Sequence, residues 1–215
     1  MTGQQLCEAA LNGDAEKVST LLSTQCAQSF INYQREDGAT PLRLASFNGH
    51  AAVTEQLIVA CCNVDLHAKN GCTPVHLAAD KGHAAVTKQL IAARCSVDLE
   101  DKNGYTPLHL AAVNGYDAVT KQLIAAHSNV DLQDKNGDTP LHCAAAKVHS
   151  AVTTQLLAAR CNVDLQAIDG ATALQFAERF GHAGIATLIR NRKHRSADQG
   201  KKDTLLQASL AQTKK

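Results

Sequence analysis

Thr106-Pro107-Leu108-His109-Leu110-Ala111-Ala112-Val113-Asn114-Gly115 is the stretch on which the fold turns. A Thr hydroxyl accepts from the free N–H groups of a first helical turn. Pro directly after it gives up nothing, because its missing N–H would have no partner there. Asn-Gly at the far end supplies a residue free to take positive φ and close the helix. The stretch therefore predicts a short helix over 107–114. Thr-Pro recurs at Thr40-Pro41, Thr73-Pro74 and Thr139-Pro140, with Thr172-Ala173 as a degenerate fifth copy, each 33 residues after the last. Gly38, Gly71, Gly104, Gly137 and Gly170 keep that step. So do Gly49, Gly82, Gly115 and Gly181, a series that only Val148 breaks. Ala-Val-Thr-x-Gln-Leu repeats at 52–57, 85–90, 118–123 and 151–156, and segments 71–103 and 104–136 agree at 23 of 33 positions.

Each unit reads as a turn followed by two antiparallel helices. Asn70-Gly71, Asn103-Gly104 and Asn136-Gly137 are turn dipeptides. A second helix is expected around 117–126, where Val119, Leu123 and Ile124 recur at helical spacing. One such pair is too small to bury its own apolar face, so copies must stack. Thr106-Pro107-Leu108-His109-Leu110-Ala111-Ala112 with Asn114-Gly115 resembles the signature of the ankyrin repeat family. The resemblance covers 38–193 and, more loosely, 4–37. It implies an all-α ankyrin-repeat solenoid of stacked antiparallel helix pairs joined by β-turn or hairpin-like loops. The units read as 1–37 (an N-terminal cap with extra residues in its connection), 38–70, 71–103, 104–136, 137–169 and 170–193 (a C-terminal cap), then a basic polar tail, 194–215.

Composition narrows the function classes. Lys and Arg total 21 against 20 Asp and Glu, so the chain as a whole is not built to hold a polyanion. Aromatics are 3% of residues and Trp is absent, which argues against a base-stacking surface. No window is apolar enough to span a membrane, and Met1-Thr2-Gly3-Gln4-Gln5 has neither the basic nor the apolar region of a secretory signal. A soluble, monomeric protein of the cytoplasm, with the nucleus as a second place, is expected.

The chemistry-bearing residues are mostly periodic, which points to structural work. Cys62, Cys95 and Cys161 share one repeat position and read as small buried hydrophobes, while Cys72, on a turn, is expected to be the exposed thiol. His76, His109 and His142 sit in Thr-Pro-x-His, where an imidazole can bridge the turns of adjacent units. Asp65, Asp98, Asp131 and Asp164 read as turn-capping carboxylates. No metal-ligand, nucleophile or phosphate-loop motif is present, so no catalysis, metal or cofactor is expected. Departures from the family pattern stand out. Cys61, Arg94, His127 and Arg160 occupy the place of the Gly that usually ends the second helix, and Val148 puts a β-branched residue where positive φ is needed, predicting local distortion.

Partner binding in this family uses the turn tips and the exposed side of the first helices. Carried over residue by residue, that surface takes in Phe47, Asn48, Lys69, Asp80, Lys81, Lys102 and Tyr105. It continues through Val113, Asn114, Lys135, Asp138, Lys147, Arg179 and Phe180. Lys69, Lys102 and Lys135 form a ladder, read either as a solvated edge partly answered by Asp101 and Asp134 or as a binding feature. Phe47, Tyr105 and Phe180 are the candidate anchors, although Phe47 and Phe180 could partly pack on the next helix. The expected function is a protein-binding scaffold, adaptor or inhibitor with its groove centred on Tyr105. The alternatives are a recruitment module of an enzyme system, such as an effector or ubiquitin-ligase adaptor, and nucleic-acid association through the tail. Residues 190–215 carry a net +6. That tail reads as solvated, as a basic arm, or as a lid over Leu174, Ile185 and Leu188, and Leu205, Leu206 and Leu210 read as one short helix or a frayed end.

Overall fold

The computed structural model describes residues 3–194. The chain opens with α1 (Gly3–Asn12), α2 (Ala15–Leu22) and a single turn, α3 (Ala27–Phe30). Regular pairs follow: α4 (Pro41–Asn48) with α5 (Ala51–Val59), and α6 (Pro74–Lys81) with α7 (Ala84–Ala92). Next come α8 (Pro107–Asn114) with α9 (Asp117–Ala125), and α10 (Pro140–Ala146) with α11 (Ser150–Ala158). Last are α12 (Ala173–Arg179) and α13, covering 183–194. The first helices α1, α4, α6, α8, α10 and α12 pack in one row and the second helices α2, α5, α7, α9 and α11 in another. Among the described residues the β pairing is an isolated antiparallel bridge, Gln166–Thr172. The tail expected from 195 onward lies outside the described residues.

The core is a run of small and aliphatic side chains between the two rows. Leu42, Val75, Leu108 and Leu141 from the first helices meet Val53, Val86, Val119 and Val152 from the second, all at most 2% exposed. The one irregular element is α3. It lies in the first connection, which is three residues longer than the later ones, and Ala27, Phe30 and Ile31 are buried in the same core.

Polar groups fasten each unit to the next. His109 Nδ1 accepts from the Thr106 N–H at 3.2 Å and lies 2.8 Å from the Thr106 hydroxyl. Nε2 must then carry the proton, and it donates to the Asp138 carbonyl of the following unit at 3.0 Å. His76 reaches Tyr105 O and His142 reaches Ala171 O in the same way. Burial holds all three imidazoles below the ordinary histidine range, so they are neutral. Arg43 replaces this His in the second unit; it is buried, and its Nε donates to Cys72 O at 3.0 Å, the corresponding carbonyl. Asp65, Asp98 and Asp131 also reach across, accepting from the backbone N–H of Ser96, Asn129 and Asn162 at 2.8–3.0 Å. These three carboxylates cap turns as expected, but the turns belong to the neighbouring unit, and Asp164 pairs with Lys193 instead.

Cys61, Arg94, His127, Val148 and Arg160 all take positive φ, between 60° and 64°. Val148 is the costly member, because a β-branched side chain crowds the left-handed region. α10 ends at Ala146, one residue short of α4, α6 and α8; α12 is equally short beside Gly181, so the φ of 64° at Val148 is what diagnoses strain. Val148→Gly is expected to raise stability by about 1 kcal/mol, or a few degrees in Tm. An unchanged or lower Tm on thermal CD would contradict this.

Candidate functional site

The exposed edge consists of the turn tips and the outer side of the first-helix row. Adjacent tips are locked by backbone bonds: Lys102 N–H donates to Asn70 O at 2.9 Å and Lys135 N–H to Asn103 O at 3.0 Å. The side chains of Lys69, Lys102 and Lys135 therefore stand out from a fixed edge, and all three are exposed. Asp101 and Asp134 do not answer them with ion pairs. Asp101 Oδ1 accepts from Asn103 and Tyr105 N–H at 2.8 and 2.9 Å, and Asp134 Oδ1 from Asn136 and Asp138 N–H at 2.8 Å. In both carboxylates it is Oδ1 that is spent on its own turn.

Along the helix row the predicted residues fall into three groups. Phe47 is 44% exposed, with Lys81 Nζ 5.0 Å above its ring. Lys81 pairs with Asp80 at 3.0 Å, and Asn114 Nδ2 donates to Asp80 Oδ1 at 3.2 Å, so α4, α6 and α8 share one polar chain. Asn48 is half-buried and its Nδ2 binds Leu44 O and Leu11 O, which makes it a tie to the first unit as much as a surface group. A shallow recess of about 380 Å³ beside Phe47 is lined by Ala39, Arg43, Leu44, Lys69 and Leu77 among others.

The middle group is more enclosed than the sequence suggests. Tyr105 is half-buried, its ring edge-on to His109 at 5.8 Å, and Val113 is packed against the core. Burial first, then the nearby Cys143 thiol and the Asp134 and Asp138 carboxylates, push the Tyr105 hydroxyl up to about 12. Asp138 Oδ1 is buried without a hydrogen-bond partner among the described residues. That burial, together with Asp134 and Asp169, raises its pKa from 3.8 to about 6. An acid whose folded pKa is raised weakens the fold when ionised, and the penalty fades as pH falls through that value. Asp138→Asn is expected to stabilise by about 1–2 kcal/mol at pH 7.5, the full shift being reduced for solvent screening, and by little at pH 4. Equal gains at both pH values on thermal CD would contradict it.

The third group closes the row. Arg179 pairs with Asp169 at 3.1 Å and lies 5.7 Å from the Phe176 ring centre. Phe180 is 52% exposed and stacks on His182, while Phe176 meets both His142 and Phe180 edge-on. Lys147 is exposed between the middle and last groups. Phe176 and Arg43 stand outside the residues expected from sequence, although Arg43 occupies the His position of the register.

Cys72 corrects an expectation. It is buried, not exposed, because the next unit's tip covers it and brings Asp101 to 4.0 Å from its sulfur. Cys26 and Cys61 are the exposed thiols. Burial pushes Cys62, Cys95, Cys143 and Cys161 up to about 12, which leaves them protonated and inert. Among the described residues no three His, Cys, Asp or Glu side chains gather as metal ligands, and no helix is long and apolar enough to cross a membrane.

Tips, first-helix row and inter-unit bridges together define a repeat solenoid whose exposed edge runs unbroken from unit to unit. The family model for ankyrin repeats (3 copies) matches residues 44–126 and 109–203, and the chain belongs to the ankyrin repeat family. A search of curated proteins returned no match. Ankyrin repeats are in general protein–protein interaction modules.

Proposed function

We propose that the chain is a scaffold, adaptor or inhibitor of the cytoplasm that binds another protein along the tips and the outer side of α4, α6, α8, α10 and α12, and that it has no catalysis of its own. The observation that carries this reading is Phe47, a large apolar side chain left 44% exposed beside a recess and under the Lys81 ammonium. Exposed aromatics at the edge of a recess are the residue type that dominates interface energies, at about 2 kcal/mol or more each. Tyr105 contributes its edge, and Lys69, Lys102 and Lys135 set the charge a partner meets. Tyr105 also packs on His109, so its removal would disturb the fold as well as binding. The cleaner test is Phe47→Asp with Lys69→Glu, two exposed residues of the same recess. Partners captured by the wild-type chain are identified, and their affinity is expected to fall at least 30-fold (about 2 kcal/mol) for the double variant, with the helical CD signal unchanged. Unchanged affinity would remove this surface from consideration.

A further inference from the structure

We propose that the edge takes an acidic, extended segment of a partner protein in the polyproline II conformation, with a carboxylate at every third residue. This rests on the edge being the binding surface and adds the chemistry that the surface recognises. One position of each tip, stepped by 33 residues, is held by Glu36, Lys69, Lys102, Lys135 and Ile168. Three adjoining units are thus cationic there, between an acidic rung and an apolar one. All three lysines are exposed, and none pairs with a carboxylate among the described residues. The exposed residues at 67–70, 100–103 and 133–136 hold these three Lys against one acid, Glu100.

Spacing selects the conformation. Backbone bonds from Lys102 N–H to Asn70 O, Lys135 N–H to Asn103 O and Ile168 N–H to Asn136 O, at 2.8–3.0 Å, fix each tip on the one before. The tips step with the packed first helices beneath them, about 8–10 Å per unit. A strand returns a side chain to the same face about every 6.6 Å, and an α-helix turns about every 5.4 Å, both short of that step. A polyproline II helix has three residues per turn at about 3.1 Å each, so same-facing side chains recur about every 9 Å. Acidic side chains repel one another and hold such a segment extended. Lys69 also lines the recess beside Phe47 with Ala39, Leu44 and Leu77, which seats an apolar side chain at that end of the segment. Asp37, the carboxylate in the same lining, is spent through Oδ1 on the Ala39 N–H at 2.9 Å. A nucleic acid fits less well, because Lys81 Nζ, 5.0 Å from the centre of the Phe47 ring, covers a face on which a base would stack.

The test uses the full chain and two synthetic peptides of identical composition, each with Leu at both ends so that either chain direction can fill the recess. One carries three Glu at every third position among Ser and Pro, the other the same Glu at alternate positions. By fluorescence anisotropy at low ionic strength, the every-third peptide is expected to bind about tenfold more tightly. Lys102→Glu is expected to weaken it about tenfold. The equally charged change Lys121→Glu, on α9 in the second-helix row, is expected to leave it unchanged. No binding of either peptide, equal affinity for the two, or equal loss in both variants would overturn the proposal. So would tighter binding of a single-stranded oligothymidylate that Lys102→Glu abolishes, since a nucleic acid would then be the occupant. Loss of captured partners in Phe47→Asp/Lys69→Glu without a preference between the peptides would leave the edge as the binding surface and remove the acidic segment alone.

Discussion

Gly104→Ala is expected to cost about 3–4 kcal/mol, and Gly181→Ala about 1 kcal/mol. Both glycines hold positive φ, 83° and 75°, so the backbone strain of adding a Cβ is the same, about 1 kcal/mol. They differ in what lies above them. A Cβ on Gly104 would sit 2.8 Å from Lys135 N, a backbone atom of the next tip that has no rotamer with which to retreat. Relief must come from moving the tip, which breaks the Lys135 N–H to Asn103 O bond and opens the packing beneath it. Overpacking of this kind costs roughly 1–3 kcal/mol and the lost bond about 1 kcal/mol. Among the described residues nothing lies within 4 Å of a Cβ at Gly181. Val148 shows that the equivalent place in the preceding unit survives with a side chain at positive φ. Thermal and denaturant unfolding of the two variants should give Tm losses differing several-fold. Equal losses would mean that contact between units contributes nothing at the tips.

Acid should unfold the chain through its buried imidazoles. His76, His109 and His142 have pKa values lowered from 6.5, chiefly by burial. For a group whose folded pKa lies below its unfolded value, the unfolded chain binds more protons below pH 6.5. The stabilisation is therefore whole above that pH and is lost as pH falls. Each of the three adds to that loss, so together they set a steep acid limb. The mechanism is local: a proton on Nδ1 faces the Thr N–H that now donates to it, as at Thr106–His109. Gln175 shows which residue keeps that bond without titrating. His76→Gln/His109→Gln/His142→Gln is expected to be much less sensitive between pH 7.5 and 5 by thermal CD. Asp138 works the other way, because its carboxyl takes up a proton near pH 6 and eases the fold. The His limb should thus be steepest in an Asp138→Asn background. A triple Gln variant as acid-sensitive as the wild type would refute the assignment.

Much of this architecture could be read before the coordinates, and the exceptions share one cause. The helix predicted over 107–114 is α8 to the residue, and the second helix around 117–126 is α9 within a residue at its end, because caps and apolar spacing are local signals. The bridging role of His76, His109 and His142 was legible from their constant place after Thr-Pro. Cys72 was not: its turn position suggested exposure, and only the next unit's tip buries it. Nor was α3, whose four residues have no repeat register to betray them. The enclosure of Tyr105 arises in the same way, because Asp134, Asp138 and Cys143 beside its hydroxyl belong to the following unit. Exposure at a stack's edge is set by the neighbour, and a single unit's sequence does not contain it.

Long-range 1H–15N correlation of the imidazoles at pH 7.5 examines the stacking register itself. With each unit's histidine spanning to the following tip, His76, His109 and His142 should all show a bare Nδ1 and a protonated Nε2 whose hydrogen exchanges slowly. Nδ1-protonated rings, or Nε2 protons exchanging at the solvent rate, would mean that the units do not meet as described.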